Sequence, residues 1–141
     1  MEQLSTKFWE ISQTAYAHGS PWTAEQFASD IKQAHSHYFT EGTEIIAFLG
    51  FHQVGDEIEI TNIAVQSKGQ GHGKRLLKRL IKHAKSQRIV SIFLEVRVSN
   101  QEARLFYENF GFQEMATRKN YYQHPQEDAV LMSLKVGNID E

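Results

Sequence analysis

The run Asn62-Ile63-Ala64-Val65-Gln66-Ser67-Lys68-Gly69-Gln70-Gly71-His72-Gly73-Lys74-Arg75 constrains this chain more than any other stretch. It reads as the end of a strand, a glycine-rich turn and the start of a helix, the local signature of an α/β fold. Glycine at three alternate positions, Gly69, Gly71 and Gly73, leaves the backbone open, so its N–H groups can converge on an anion. The helix that follows aims its N-terminus, and the positive end of its dipole, at the same spot. Lys68 and Lys74 bracket the turn, and the pattern predicts a phosphate cradle.

The kind of phosphate is narrowed by spacing. A Walker loop needs Gly-x-x-x-x-Gly-Lys followed by Ser or Thr. Here Lys68 stands where its first glycine belongs, and Arg75 replaces the hydroxyl that would hold magnesium. A dinucleotide fingerprint needs Gly-x-Gly-x-x-Gly, and neither Gly69 nor Gly71 begins one. A tight turn with no ligand is the alternative for glycines alone. Charge tips the balance. From Gln66 to Leu94 there are eight Lys or Arg residues and no Asp or Glu, while the rest of the chain carries seven basic and 17 acidic side chains. A local excess of +8 in a chain of net charge −2 points to a polyanion partner at this place.

At 141 residues the chain is sized for one domain, residues 1–141, with a substantial core. It contains no cysteine, which excludes disulfides, thiolate metal sites and a cysteine acyl carrier. The first 20 residues are amphipathic and polar, without the apolar run of an export signal. No apolar stretch approaches the roughly 20 residues that span a bilayer. The chain therefore reads as cytoplasmic, with no membrane partner. A pI near 6.4 argues against sequence-specific nucleic-acid binding.

Taken in order, Leu4, Phe8, Ile11 and Ala15 recur at helical spacing and predict an amphipathic helix over residues 3–17, stopped by Gly19-Ser20-Pro21. Thr23-Ala24-Glu25-Gln26 is a capping box, and the helix it opens is expected to run to about Ala34. His35 and His37, two apart, could share a strand face and bind a metal. No third ligand follows at a sensible spacing, so they read as a surface strand edge and no metal is expected. Glu44 to Gln53 reads as a strand, and Val54-Gly55-Asp56 as a hairpin turn. In the next strand the apolar residues sit at even positions, Ile58 and Ile60, and then at odd ones, Ile63 and Val65. Strand periodicity is two, so the change of phase predicts a β-bulge near Thr61-Asn62. The helix after the glycines places Leu76, Leu77, Leu80, Ile81 and Ala84 on one face. Most of its cations form a solvated surface, with Lys74 and Arg75 close enough to the helix start to meet phosphate.

Ile89 to Val98 reads as a central strand, with Val90, Ile92, Leu94 and Val96 on one side and Ser91, Phe93, Glu95 and Arg97 on the other. Glu95 would then lie in a cleft. A buried carboxylate without a role costs several kcal/mol unless it is paired, and Arg97 on the same face is the obvious structural partner. Ser99-Asn100-Gln101-Glu102 caps a further helix carrying Tyr107 and ending at Gly111. Phe112 to Lys119 reads as a strand, Asn120 to Gln126 as an aromatic loop with Tyr121 and Tyr122, and Ala129 to Lys135 as the last strand.

The spacing Lys68-x-x-Gly71-x-Gly73 resembles the Gln/Arg-x-x-Gly-x-Gly/Ala motif of the GCN5-related N-acetyltransferases (GNAT). Lys68 replaces the usual Gln or Arg, and the loop from Val65 to Gly71 is shorter than that family's common form. Leu94-Glu95-Val96-Arg97-Val98-Ser99-Asn100, with Phe106-Tyr107-Glu108 and Gly111-Phe112, is similar to one branch, the ribosomal-protein-alanine N-acetyltransferases called RimI. Ser20-Pro21-Trp22 with Phe27-Ala28-Ser29, Asn62-Ile63-Ala64-Val65, and Arg118-Lys119-Asn120-Tyr121-Tyr122 with Glu127-Asp128-Ala129 carry the likeness across nearly all the chain after Ser20.

The resemblance implies a mixed, mostly antiparallel sheet of about six strands flanked by four helices and splayed at a β-bulge. It implies that the edge strand preceding the first helix is short or missing here. It further implies acetyl-CoA as cosubstrate, held by the backbone of Ile63, Ala64 and Val65, by Lys68, Gly69, Gln70, Gly71, His72, Gly73 and Lys74, and by Asn100. Glu95 would be general base and Tyr107 general acid, with Trp22, Tyr121 and Tyr122 beside the acceptor, the N-terminal peptide of a ribosomal protein. Other N-termini, lysines or small amines as acceptors, and a non-catalytic coenzyme- or RNA-binding module, are the competing expectations.

Overall fold

The computed structural model describes residues 2–136. The first elements are α1 (Glu2–Ala15) and α2 (Ala24–Ile31), with no strand before α1 among the described residues. The capping box forms as expected. Gln26 N–H donates to Thr23 Oγ1 at 3.1 Å while Thr23 N–H donates to the Gln26 side chain at 2.8 Å. The second helix nevertheless stops at Ile31, because the backbone turns at Lys32 and Gln33 to enter β1 (Ser36–Glu41). His37 lies exposed on that strand with its ring against Phe51, and His35 packs edge-on to His52.

The sheet order is β1-β2-β3-β4-β6-β5, where β2 is Ala47–Val54, β3 Glu57–Val65, β4 Ser91–Arg97, β5 Gln113–Gln123 and β6 Gln126–Lys135. All neighbours are antiparallel except β3 and β4. β1 is an edge strand. β2 begins later than its apolar pattern suggested, because Gly42 at φ +94° turns the chain and Ile46 N–H bonds back to Glu41. The crossover from β3 to β4 is α3 (His72–Ser86), and α4 (Gln101–Glu108) follows β4.

Two apolar clusters cover the two faces. On one, Leu76, Leu77, Leu80 and Ala84 of α3 and Tyr107 of α4 pack against Leu49, Phe51, Ile58, Ile60, Ile92, Leu94 and Met132. On the other, Phe8 and Ile11 of α1 and Phe27 of α2 pack against Phe48 and Ala64, with the Phe8 and Phe48 rings 4.3 Å apart. The expected inward row of β4 holds for Ile92, Leu94 and Val96. Val90 is instead 45% exposed, since it precedes the strand and its N–H is drawn to Asp56.

The bulge is present. Gly50 pairs with Asn62 but Phe51 with Ile60, so Thr61 is the extra residue. Its effect on side-chain phase is complete. Ile58 and Ile60 join the α3/α4 cluster, Ala64 joins the α1/α2 cluster, and Ile63 and Val65 return to the first face. Gly50, opposite the bulge, is a glycine for reasons of space. A Cβ there would stand 2.7 Å from the Tyr38 ring and 3.2 Å from Thr61 Oγ1. Tyr38 cannot swing aside freely, because its hydroxyl donates to Asp30 at 2.6 Å. Gly50→Ala should therefore lower unfolding stability by about 1–3 kcal/mol in urea titration, the usual penalty of overpacking. An unchanged midpoint would show that the ring yields.

Candidate active site

Strands β3 and β4 pair only from Glu57 opposite Ser91 to Glu59 opposite Phe93. Beyond that point β3 follows β2 as far as Val65, while β4 follows β6 as far as Arg97. The bulge bends β3 away, and a gap opens between the two strands. The gap has a polar edge. In an antiparallel ladder alternate residues turn both backbone groups to the same neighbour. Gln66 N–H bonds Ile46 O on the β2 side, which puts Ala64 on that side too and aims the N–H groups of Ile63 and Val65 into the gap. The Ile63 N–H is received there by the hydroxyl of Tyr16, at 3.0 Å and from 47 residues away. Asn62, 1% exposed, and Thr61 hold buried polar side-chain atoms without a hydrogen-bond partner among the described residues.

Glu95 and Tyr107 lie on opposite faces of the sheet. Glu95 stands on the α1/α2 side of β4, with its side chain 15% exposed. Arg97 is not its partner. That guanidinium bonds Glu127 at 3.2 Å and the carbonyls of Pro125 and His124, and lies over the Tyr122 ring. Glu127 in turn accepts the Ser99 N–H at 2.7 Å, and these bonds hold its carboxyl below the usual range. Glu95 is instead approached by Arg118, whose Nε lies 2.7 Å from Oε2. The approach is not along an N–H, so that oxygen has a charge partner without a hydrogen bond. Nearby, burial and then the Glu95 charge hold the phenols of Tyr121 and Tyr122 up, Tyr122 to about 12. Tyr107 comes from α4 on the other side, its ring 3% exposed between Phe106 and Phe112. Burial raises its phenol well above the ordinary value, and the nearby Tyr16 adds to the effect.

Tyr121 and Tyr122 are not in a loop. β5 runs on to Gln123, interrupted by an irregularity between Arg118 and Tyr122. Asn120 absorbs it at φ +53°, a conformation asparagine tolerates, and its N–H bonds the Asp128 side chain at 2.8 Å in place of a ladder partner. Trp22 sits in the α1–α2 connection, its ring 5.1 Å from Phe27 and half-buried in that cluster.

The glycine turn is open at Gly69, where a Cβ would meet nothing within 4 Å; Gly71, at φ +81°, caps α3 without a side-chain hydrogen bond, and a Cβ there would stand 2.9 Å from Arg75 Nη1. Arg75 is the first residue of α3 whose N–H finds a carbonyl of its own turn, Gly71 O, which leaves the N–H groups of His72, Gly73 and Lys74 at the helix start for an anion. Two cations there are already engaged. Arg75 bonds Glu41 at 3.0 Å with its guanidinium lying beside Gly71, and both Arg75 and Glu41 contact His72 Nδ1. Arg75 and then His72 hold the Glu41 carboxyl below its usual value. Lys68 reaches Glu102 on α4 at 3.0 Å, an exposed pair of the kind worth about 0–1 kcal/mol and easily exchanged for a phosphate. Gln70 is exposed on the turn, and Asn100 caps α4 by accepting the Ala103 N–H at 3.1 Å.

The model of the Acetyltransferase (GNAT) family matches residues 1–112. The chain belongs to that family. Among its relatives, a [ribosomal protein bS18]-alanine N-acetyltransferase of Escherichia coli K12 is 36% identical over 126 residues, covering 86% of this chain and 85% of the relative. The crystal structure of the ribosomal-protein-S18-alanine N-acetyltransferase from Escherichia coli superposes with a TM-score of 0.84 at 34% identity, covering 94% of this chain and 88% of that one. A GNAT family acetyltransferase from Elizabethkingia anophelis with acetyl-CoA bound shares the fold, at 20% identity and a TM-score of 0.73 over 90% of this chain and 89% of that one. The GNAT fold thus accounts for the six-stranded sheet and four helices. Among the described residues no group of three or more His, Asp or Glu is arranged to hold a metal, and no helix is long and apolar enough to cross a membrane.

Tyr16, Glu41 and Arg118 are the neighbours that sequence reading did not single out. Arg118 stood in a quoted motif but without a role. Nothing in one sequence ties Tyr16 to Ile63. The phenols predict an alkaline response. Burial raises Tyr16 and Tyr122 from 10 to about 12. The fold therefore holds these protons more tightly than the unfolded chain does. That stability is complete below pH 10 and is lost as pH rises from about 10 through about 12. Urea midpoints measured from pH 8 to 12 should stay level to about pH 10 and then fall, and a Tyr16→Phe, Tyr122→Phe double variant should fall less steeply.

Proposed function

We propose that residues 1–141 form one acetyltransferase domain that moves an acetyl group from acetyl-CoA to the N-terminal α-amine of a ribosomal protein beginning with alanine, in the cytoplasm. The observation that carries this reading is the parting of β3 from β4 after Glu59, which leaves the Ile63 and Val65 N–H groups at a gap beside the glycine turn that opens α3. The likeness to the bS18-alanine enzymes in both sequence and structure supports the choice of acceptor.

Acetyl-CoA brings an activated thioester whose carbonyl carbon an amine can attack. The N-H groups of His72, Gly73 and Lys74 would hold its diphosphate, with Gly69, Gln70 and Gly71 shaping the turn and Lys68 released from Glu102. Asn100 and the Ile63–Val65 edge would flank the arm, with Val65 offering its N–H. Glu95 takes one proton from the acceptor ammonium and passes it to water. When the carbon–nitrogen bond forms, Tyr107 gives its proton to the departing sulfur and regains one from the acceptor nitrogen, which has become strongly acidic. The raised Tyr107 value fits this exchange, since the phenol keeps its proton until one is offered in return. Without cysteine, no acetyl-cysteine forms, and attack is direct.

Acceptor chemistry favours an α-amine. With a pKa near 8, roughly a tenth is neutral at pH 7, against less than about one part in a thousand for a lysine near 10.4. Tyr121, Tyr122 and Trp22 would border the peptide. Glu95→Gln and Tyr107→Phe should each lower kcat by about 10²–10⁴ while calorimetry shows acetyl-CoA binding kept. Equal loss of binding would refute the roles. An Ala-starting peptide should gain 42 Da by mass spectrometry, a figure set by about one acetyl per α-amine, and the same peptide blocked at its N-terminus should not.

A second reading rests on α3, where Lys74, Lys78, Lys82 and Lys85 are exposed and form no ion pair among the described residues. It makes the chain a non-catalytic RNA-binding module. RNA binding that persists at about 0.2 M salt, with no acetyl transfer to any amine, would favour it.

A further inference from the structure

Tyr16 directly follows the last residue of α1 and belongs to no motif discussed above, yet its hydroxyl lies at the polar edge of the gap. Parity along β3 leaves two N–H groups facing that space, those of Ile63 and Val65. The first is already bonded to Tyr16 Oη. A carbonyl oxygen arriving at this edge therefore meets the Val65 N–H and, at the Ile63 position, a phenol. Because the phenol oxygen accepts from Ile63, its own O–H points elsewhere, and among the described residues it donates to no protein acceptor.

We propose that Tyr16 donates this O–H to the thioester carbonyl oxygen, so that the acyl group is polarised by a side chain just beyond α1 together with the Val65 N–H. The Ile63 N–H acts through the phenol, since a hydroxyl that accepts one hydrogen bond becomes a stronger donor of another. No proton leaves Tyr16. It stabilises negative charge as it develops on the oxygen, while Glu95 and Tyr107 handle the two protons of the transfer. Burial, which holds the phenol at about 12, keeps it a neutral donor throughout the working pH range. Its position is fixed from behind. Tyr16 N–H bonds Ser12 O in the last turn of α1, and α1 is anchored by Phe8 and Ile11 on Phe48.

The inference rests on the acetyltransferase reading, and its test separates the two. Protein loaded with acetyl-CoA labelled with carbon-13 at the carbonyl, without an amine, is compared by infrared difference spectroscopy as wild type and as Tyr16→Phe. The carbonyl stretch should lie lower in the wild type. With an Ala-starting peptide, kcat of the variant should fall by about 10²–10³, the effect of removing one such donor, while acetyl-CoA affinity stays within about twofold of wild type. If Tyr16→Phe folds poorly, 3-fluorotyrosine at position 16, a stronger donor of nearly the same shape, should move the stretch further down. Equal carbonyl frequencies, or a loss confined to KM for acetyl-CoA, overturns the proposal alone. A wild type that transfers acetyl to no amine takes down the reading and the proposal together.

Discussion

The parting of β3 from β4 organises the molecule. Parallel neighbours would ordinarily continue their ladder and bury both strands. Here an extra residue, Thr61, bends β3 after Glu59, and the ladder ends at Phe93. The consequence is chemical as well as geometric. A sheet that closed would consume the N–H groups of Ile63 and Val65; opened, it leaves them at the gap.

The polar surroundings of that space are held by contacts that sort the charges. Arg97 is spent on Glu127 and the hairpin carbonyls, which frees the Glu95 position from the nearest cation on its own strand. Arg118 arrives from β5 instead, with its guanidinium also facing Tyr121. Glu59, on the same face of β3, is raised by burial, moderated by His52 and raised further by Glu95. At the other end, Glu41 gathers Arg75 and His72 at the start of α3.

Much of this was legible in the sequence. The phase change from Ile60 to Ile63 announced the bulge, since a strand cannot shift its buried set by one residue otherwise. The apolar face of α3, the capping box at Thr23 and the hairpin at Gly55 follow equally local rules. The errors came where a distant partner decided the outcome. Arg97 had a same-face neighbour in Glu95, but the β5–β6 hairpin offered it two carbonyls and a carboxylate. The Tyr121-Tyr122 segment looked like a loop because Asn120 breaks its pattern, yet Asp128 replaces the missing ladder bond and the strand resumes. Tyr16 lay beyond any local rule, because its partner is a backbone group exposed only by the splay.

Among the described residues, the brief parallel ladder from Glu57 to Glu59 is also the sole hydrogen-bonded strand pairing between two halves, β1-β2-β3 and β4-β6-β5. Each half is laced by long antiparallel pairings of its own. The width of the opening is thus the dimension least restrained by backbone bonding, and it is the one along which acyl groups bulkier than acetyl would have to be accommodated.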